Sequence, residues 1–129
     1  TDFSMPTFVY GFVREMPDFM AAADVLVTKA GPGTISEALN AGLPMILYSH
    51  LPGQESGNIP YVVTEGAGVW APRTEEIVRT LKNWLEHPDQ HAAAVAACKR
   101  MARPDAARKI ARVLVKTLEQ FRDRAYNFN

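Results

Sequence analysis

Two short, almost wholly apolar runs constrain the fold of this chain more than any other feature of its sequence. Residues 25–28 and 43–48 are rich in Val, Leu and Ile, and each run precedes a glycine-containing turn and a helical segment. A strand that is apolar at every position is typical of a strand buried on both faces of a sheet. Because such strands alternate here with helical segments, the sequence predicts a parallel sheet covered by flanking helices.

Further strands and helices extend this α/β pattern. Strands are also predicted at residues 7–13 and 68–71, and helices at residues 17–23, 34–41, 57–65, 74–87, 88–102 and 104–126. Gly42 and Gly66 are expected to stop two of the helices, and Thr74 is expected to cap another. A complete Rossmann-like domain has about six strands, so we expect the N-terminal part of this sheet to be missing.

The charges are balanced over the chain but not along it. The sequence holds 14 basic and 14 acidic residues and is 47% apolar, which excludes global disorder and argues against a nucleic-acid partner. Residues 99–124 hold nine basic and three acidic residues, so a net charge of +6 there balances −6 elsewhere. This basic helical end either contacts an anionic membrane surface or is a solvated face, and both interpretations stay open.

The loop between the first apolar run and its helix is the best candidate for a binding site. Gly31 and Gly33 allow a phosphate to approach the backbone, and the N–H groups at a helix start form an anion site. Thr34 and Ser36 add hydroxyl groups. Glu37 lies one turn further, about 5 Å away, where a carboxylate can accept hydrogen bonds from the vicinal hydroxyls of a ribose. The loop therefore suits a diphosphate and its sugar, although a plain turn is the alternative.

A second polar cluster follows the next apolar run. Gln54, Glu55 and Asn58 are side chains of the kind that bind sugar hydroxyls, or that cap a helix in a solvated loop. Both loops follow strands of one parallel sheet, so we expect them to face one crevice at its carboxyl edge.

Three motifs carry a resemblance to a known family. They are Thr-Lys-Ala-Gly-Pro-Gly-Thr-Ile-Ser-Glu-Ala at residues 28–38, Pro-Gly-Gln-Glu-Ser-Gly-Asn-Ile-Pro-Tyr at residues 52–61, and Ala-Arg-Pro-Asp-Ala at residues 102–106. In this order and spacing they resemble the C-terminal domain of the monogalactosyldiacylglycerol synthase-like glycosyltransferases. Bacterial diacylglycerol glucosyltransferases and the peptidoglycan N-acetylglucosaminyl transferase belong to the same wider group. The resemblance covers residues 7–115.

The resemblance implies a two-domain GT-B fold, of which this chain is part of the C-terminal domain that binds a UDP-sugar. The backbone at Phe12 and Val13 would hydrogen-bond the uracil edge. Pro32, Gly33 and Thr34 would lie in the loop that holds the diphosphate.

The resemblance also assigns the sugars of the donor. Glu37 would bind the ribose hydroxyls, and Gln54, Glu55 and Asn58 would face the hexose. Lys29 matches the glycolipid branch of the family and would join the donor site, while an exposed lysine at a strand end is the alternative.

The activity implied is that of an inverting enzyme that moves a hexose from a UDP-sugar to diacylglycerol, with no cofactor and no metal. The sequence agrees in containing no Asp-x-Asp motif. The family's catalytic base and acceptor groove lie in an N-terminal domain that we expect to be absent. We therefore assign no catalytic residue and expect the chain alone to bind donor weakly and catalyse nothing. The expected location is the cytoplasm, with peripheral attachment to a membrane.

Two other functions remain open. One is a UDP-sugar epimerase, which shares the GT-B architecture, and the other is a non-catalytic nucleotide-binding module. The Pro-Gly-Gln-Glu run at residues 52–55 favours the transferase.

Overall fold

The computed structural model describes the backbone of residues 5–126 and the side chains of residues 5–122. The strands are β1 (Leu26–Lys29), β2 (Met45–Ser49) and β3 (Gly68–Trp70). The helices are α1 (Met16–Ala22), α2 (Pro32–Ala41), α3 (Asn58–Thr64), α4 (Thr74–Glu86), α5 (Pro88–Met101) and α6 (Ala106–Tyr126).

The described strands form one parallel sheet in the order β1-β2-β3. Val27 lies opposite Ile46 in the register, and Ile46 lies opposite Val69. Helices connect each strand to the next, so the carboxyl ends of all three strands meet at one edge. The predicted parallel α/β fold with flanking helices is confirmed.

The central strand β2 shows why Met45, Ile46 and Leu47 are all apolar, since each of them is fully buried. Met45 and Leu47 pack into a core cluster that also contains Leu39 of α2 and Cys98 of α5. Ile46 points to the opposite face, where it joins a smaller cluster around Trp84. Successive side chains of a strand point to opposite faces, so a strand between two helical layers needs an apolar residue at every position.

Helix α2 begins two residues before its predicted start. Pro32 occupies the first helical turn, where its missing N–H costs no hydrogen bond. The helix stops at Gly42 as predicted, because Gly42 adopts a left-handed conformation with φ of 71° that glycine tolerates best. Pro32 and Gly33 therefore belong to the helix start rather than to the preceding loop.

The strand predicted at residues 7–13 is wrong. This segment has no strand conformation and pairs with no strand in the described part of the chain, and Phe12 is 96% exposed. Tyr10 of this segment contacts Phe19 of α1, with ring centroids 5.1 Å apart. β-Branched and aromatic residues favour a strand only where a neighbouring strand supplies hydrogen bonds and a packing surface. Residues 5–126 accordingly contain three strands rather than four.

Two predicted helix starts also need correction. Thr74 is not the cap of α4, because Arg73 takes that position and its backbone N–H donates to Glu76 Oε2 at 3.2 Å. The Arg73 guanidinium pairs with the other oxygen of the same carboxylate. The last helix begins at Ala106 and not at Pro104.

The close approach of β3 to β2 generates a prediction for Gly68. A Cβ atom there would lie 2.4 Å from the Met45 carbonyl oxygen and 2.9 Å from Val62 Cγ1. We expect Gly68→Ala to lower the free energy of unfolding by about 3 kcal/mol, at the upper end for overpacking of a core. Urea unfolding followed by circular dichroism measures this change.

Gly11→Ala is the matched control, since nothing lies within 4 Å of a Cβ at Gly11. This control should change the stability by less than about 0.5 kcal/mol. Equal stability of the two variants would contradict the packing argument.

Candidate functional site

The site is built on the paired ends of β1 and β2. The Ala30 N–H donates to the Ser49 carbonyl oxygen at 2.8 Å, so the two chains stay side by side where the strands end. The Gly31 N–H then bonds back to the Lys29 carbonyl oxygen at 2.8 Å, which turns the chain tightly into α2. The loops after β1 and β2 consequently emerge next to each other at the carboxyl edge of the sheet.

The start of α2 is open to an anionic ligand. The N-cap residue is Gly31, which has no side chain that could cap the helix. The first helical bond runs from the Ile35 N–H to the Gly31 carbonyl oxygen at 3.0 Å. The N–H groups of Gly33 and Thr34 precede that bond and have no partner within the helix. Nothing lies within 4 Å of a Cβ at Gly33, so a ligand has room beside it. The positive end of the helix dipole adds to this preference for an anion.

An ion pair joins the two loops. Lys29 Nζ lies 2.5 Å from Glu55 Oε1, and the other carboxylate oxygen of Glu55 accepts the Leu51 N–H at 2.8 Å. Glu55 is only 4% exposed, and burial of a carboxylate is tolerated when it is paired and hydrogen-bonded. The Lys29 hydrogen bond first, and the Leu51 N–H second, hold the pKa of the Glu55 carboxyl below its usual range.

A second bond ties the same loops together. Asn58 Nδ2 donates to the Ala30 carbonyl oxygen at 2.8 Å. Gln54 is exposed in the loop after β2, while Asn58 is half-buried at the start of α3. These two contacts therefore hold the loops together at the carboxyl edge of the sheet, where the sequence predicted a crevice.

Glu37 and Val13 lie outside the loops that these contacts join. Glu37 is exposed on α2 and lines a groove of about 320 Å³ against α1, together with Pro17, Met20 and Ala21. Val13 is half-buried in the segment that leads into α1. The contacts of these residues with a ligand remain predictions.

The backbone partners of the site could not be foreseen from the sequence. The Leu51 N–H fixes Glu55, and the Ala30 carbonyl oxygen fixes Asn58. Any residue other than proline could supply the N–H, and any residue could supply the carbonyl oxygen, so the sequence gives no signal for either partner. The contact of His50 with Trp70, at 5.6 Å between ring centroids, was also unforeseen. Only the tertiary structure reveals such partners.

Neither a metal-binding group of side chains nor a membrane-spanning helix is present in the described part of the chain. Residues 5–122 hold no group of three or more His, Cys, Asp or Glu side chains placed to bind a metal ion. Within the described part of the chain, no helix is long and apolar enough to cross a membrane.

The fold and the site define a class, namely a parallel α/β domain in which the first described strand leads into an open helix start at the carboxyl edge of the sheet. Residues 2–114 match the family model for the glycosyltransferase family 28 C-terminal domain. The chain belongs to this family, as the resemblance predicted, and the three parallel strands of its described residues, with their flanking helices, agree with a domain of a GT-B enzyme.

Plant galactolipid enzymes are among the similar proteins. The chain is 40% identical over 121 residues to the chloroplastic monogalactosyldiacylglycerol synthase of Spinacia oleracea, covering 92% of this chain and 23% of that protein. It is 46% identical over 86 residues to the chloroplastic monogalactosyldiacylglycerol synthase 3 of Arabidopsis thaliana, covering 67% of this chain and 18% of that protein. The chain thus spans about a quarter or less of the length of these relatives.

The names of these relatives place them in the chloroplast. That compartment differs from the cytoplasm expected from the sequence, so the location of this chain remains a prediction.

The ion pair generates a prediction for the titration of Glu55. Lys29→Met removes the largest cause of the lowered pKa, so the pKa of Glu55 should rise, while the Leu51 N–H keeps part of the effect. A ¹³C NMR titration of the glutamate carboxyl groups measures this shift. Lys82→Met, which removes an exposed lysine from α4, is the matched control and should leave the Glu55 resonance unchanged.

The sign of the stability effect follows from the direction of the shift. The Glu55 carboxyl binds protons more tightly in the unfolded chain, so its contribution to stability is present above the unfolded-state pKa. That contribution is lost as the pH falls through the lower folded-state pKa. Lys29→Met should therefore show a smaller loss of stability in this acidic window, and an identical loss would contradict the assignment.

Proposed function

We propose that this chain is the donor-binding part of an inverting glycosyltransferase that moves a hexose from a UDP-sugar to diacylglycerol in glycolipid synthesis. The observation that carries the proposal is the open start of α2, with the Lys29 ammonium beside it, in a member of the family 28 C-terminal domains. The names of the similar plant enzymes support diacylglycerol as the acceptor.

The diphosphate of the donor would bind at the start of α2. The N–H groups of Gly33 and Thr34 would donate to phosphate oxygens, and Lys29 would add a positive charge. Pro32 fixes the backbone of the first turn, and its missing N–H would have had no partner within the helix. The nucleoside would extend toward α1, where the backbone of Val13 would bind the uracil and Glu37 the ribose hydroxyls.

The hexose would lie over the loop after β2. Gln54 is exposed there and has a full set of amide donors and acceptors for sugar hydroxyls. Asn58 uses its Nδ2 group on the Ala30 carbonyl, which leaves its Oδ1 oxygen to accept a hydrogen bond. Glu55 was expected to face the same hexose, although its carboxylate oxygens already accept bonds from Lys29 and Leu51.

In the transfer step this part of the enzyme would stabilise the leaving group. Cleavage of the bond between the anomeric carbon and the phosphate oxygen leaves an additional negative charge on UDP. Oriented N–H dipoles and a nearby ammonium stabilise such a charge without reorganising. The base that deprotonates the acceptor hydroxyl would come from another part of the whole protein, and no metal ion is part of the proposal.

Two alternatives predict different reactions for the whole protein. A UDP-sugar epimerase would convert its sugar nucleotide without any lipid, whereas the transferase would release UDP only when diacylglycerol is present. A non-catalytic module would bind UDP and turn over nothing. Membership of a glycosyltransferase family favours the first proposal over both.

The ribose assignment is tested by Glu37→Ala. Loss of two hydrogen bonds to a carboxylate should weaken UDP binding about tenfold, measured by ¹⁵N NMR titration of the 129-residue chain. Inorganic pyrophosphate lacks the ribose, so its affinity should not change. Glu75→Ala removes an exposed glutamate from the first turn of α4 and is the matched control. Unchanged UDP affinity in Glu37→Ala would remove Glu37 from the site.

Helix α6 supports a second proposal, peripheral contact with an anionic membrane. Its large apolar side chains are 54–69% exposed. All of them except Val115 form one stripe along the helix, which consists of Ile110, Val113, Leu114, Leu118 and Phe121. Arg108, Arg112 and Lys116 lie on the opposite side of the helix. An apolar stripe with a basic opposite face is typical of helices that lie in a membrane interface.

Vesicle co-sedimentation tests the membrane contact. The chain should sediment with vesicles that contain anionic phosphatidylglycerol and remain in solution with neutral phosphatidylcholine, and added salt should release it. The double variant Arg112→Glu, Lys116→Glu should lose this binding, whereas Arg79→Glu, Lys82→Glu on α4 makes the same change of charge and should retain it. Binding that depends neither on the charge of the lipid nor on the salt concentration would reject the proposal.

A further inference from the structure

The buried carboxylate of Glu55 is fully engaged by the protein itself. One oxygen accepts the Lys29 ammonium and the other accepts the Leu51 N–H, and its side chain is 5% exposed. A group in this state has little surface left for a sugar hydroxyl. Its partner differs, because the Lys29 side chain is 51% exposed and an ammonium carries three donors.

The ammonium lies at the start of α2. Lys29 Nζ is 3.0 Å from the point that a Cβ on Gly31 would occupy, and Gly31 is the N-cap residue of that helix. Glu55 Oε1 is further from the same point, at 3.7 Å. The cation is therefore nearer than the carboxylate to the backbone where the proposed donor site begins.

We propose that Glu55 is a positioning residue, which holds the Lys29 ammonium beside the first turn of α2 for the diphosphate of the donor. This inference rests on the proposed function and gives Glu55 a different role from that of a hexose ligand. A lysine has a flexible four-carbon stem, so fixing its ammonium costs side-chain entropy on binding. A buried carboxylate, itself held by the Leu51 N–H, fixes the ammonium before the ligand arrives.

Gly31 provides a way to move the ammonium without changing a charge. Gly31 has a φ of −73°, which alanine also adopts, so Gly31→Ala introduces no backbone strain. The new methyl group would press against Lys29 Nζ, and the flexible end of the lysine would yield. Gly57→Ala, in the loop before α3, is the matched control because nothing lies within 4 Å of a Cβ there.

The test compares three probes by ¹⁵N NMR titration of the 129-residue chain and its variants. The probes are UDP, inorganic pyrophosphate and uridine, which contains no phosphate. We expect Glu55→Gln and Gly31→Ala each to weaken UDP and pyrophosphate binding about fivefold and to leave uridine unchanged, since only the phosphate contact depends on the ammonium. Gly57→Ala should bind all three probes as the parent chain does.

Other outcomes distinguish the inference from the function on which it rests. If the parent chain binds neither UDP nor pyrophosphate, both the inference and the proposed function are overturned. Equal weakening of uridine and pyrophosphate in the two variants would show a merely structural role for Glu55. Loss of affinity for UDP-galactose or UDP-glucose in Glu55→Gln, with UDP and pyrophosphate unchanged, would make Glu55 a hexose ligand and keep the proposed function.

Discussion

The parallel pairing of β1 with β2 is the interaction on which the rest of the structure depends. It places two chain segments side by side as far as the bond between Ala30 and Ser49, and so brings two distant loops to one edge. The helices follow from this pairing, since a parallel connection must cross the sheet before it returns. Lys29 and Glu55 are 26 residues apart in sequence, and without this strand pairing they would not meet in space.

The fold was largely predictable because it depends on patterns that are local in the sequence. Continuous apolar runs marked β1 and β2, and Gly42 marked the end of α2, since both signals come from neighbouring residues. The segment at residues 7–13 failed because its strand propensity could be satisfied only by a partner strand. Arg73 was missed as a cap because its backbone N–H, and not its residue type, makes the bond with Glu76.

The residues of the candidate site could be predicted from the sequence, but their hydrogen-bond partners could not. Residue type and loop position selected Glu55 and Asn58, and the family resemblance added Lys29; the structure brings these residues together at the paired loops. Sequence could not show that Glu55 bonds to Lys29 and Leu51, or that Asn58 bonds to the Ala30 carbonyl. Such partners depend on the register between strands, which a shift of one residue would change completely.

The sheet order also determines how local stability is distributed around the site. β2 has a strand neighbour on each side, and its residues Met45, Ile46 and Leu47 are fully buried. Within the described residues, β1 has a strand neighbour on one side only. Backbone amides exchange with solvent more slowly at the centre of a sheet than at its margin, because opening the centre requires global unfolding. Within the described residues, opening β1 breaks the pairing with one strand, whereas opening β2 breaks the pairing with two. The bonds Lys29–Glu55 and Asn58–Ala30 join the loops after β1 and β2, so separation of the two strands at this edge also breaks these side-chain contacts.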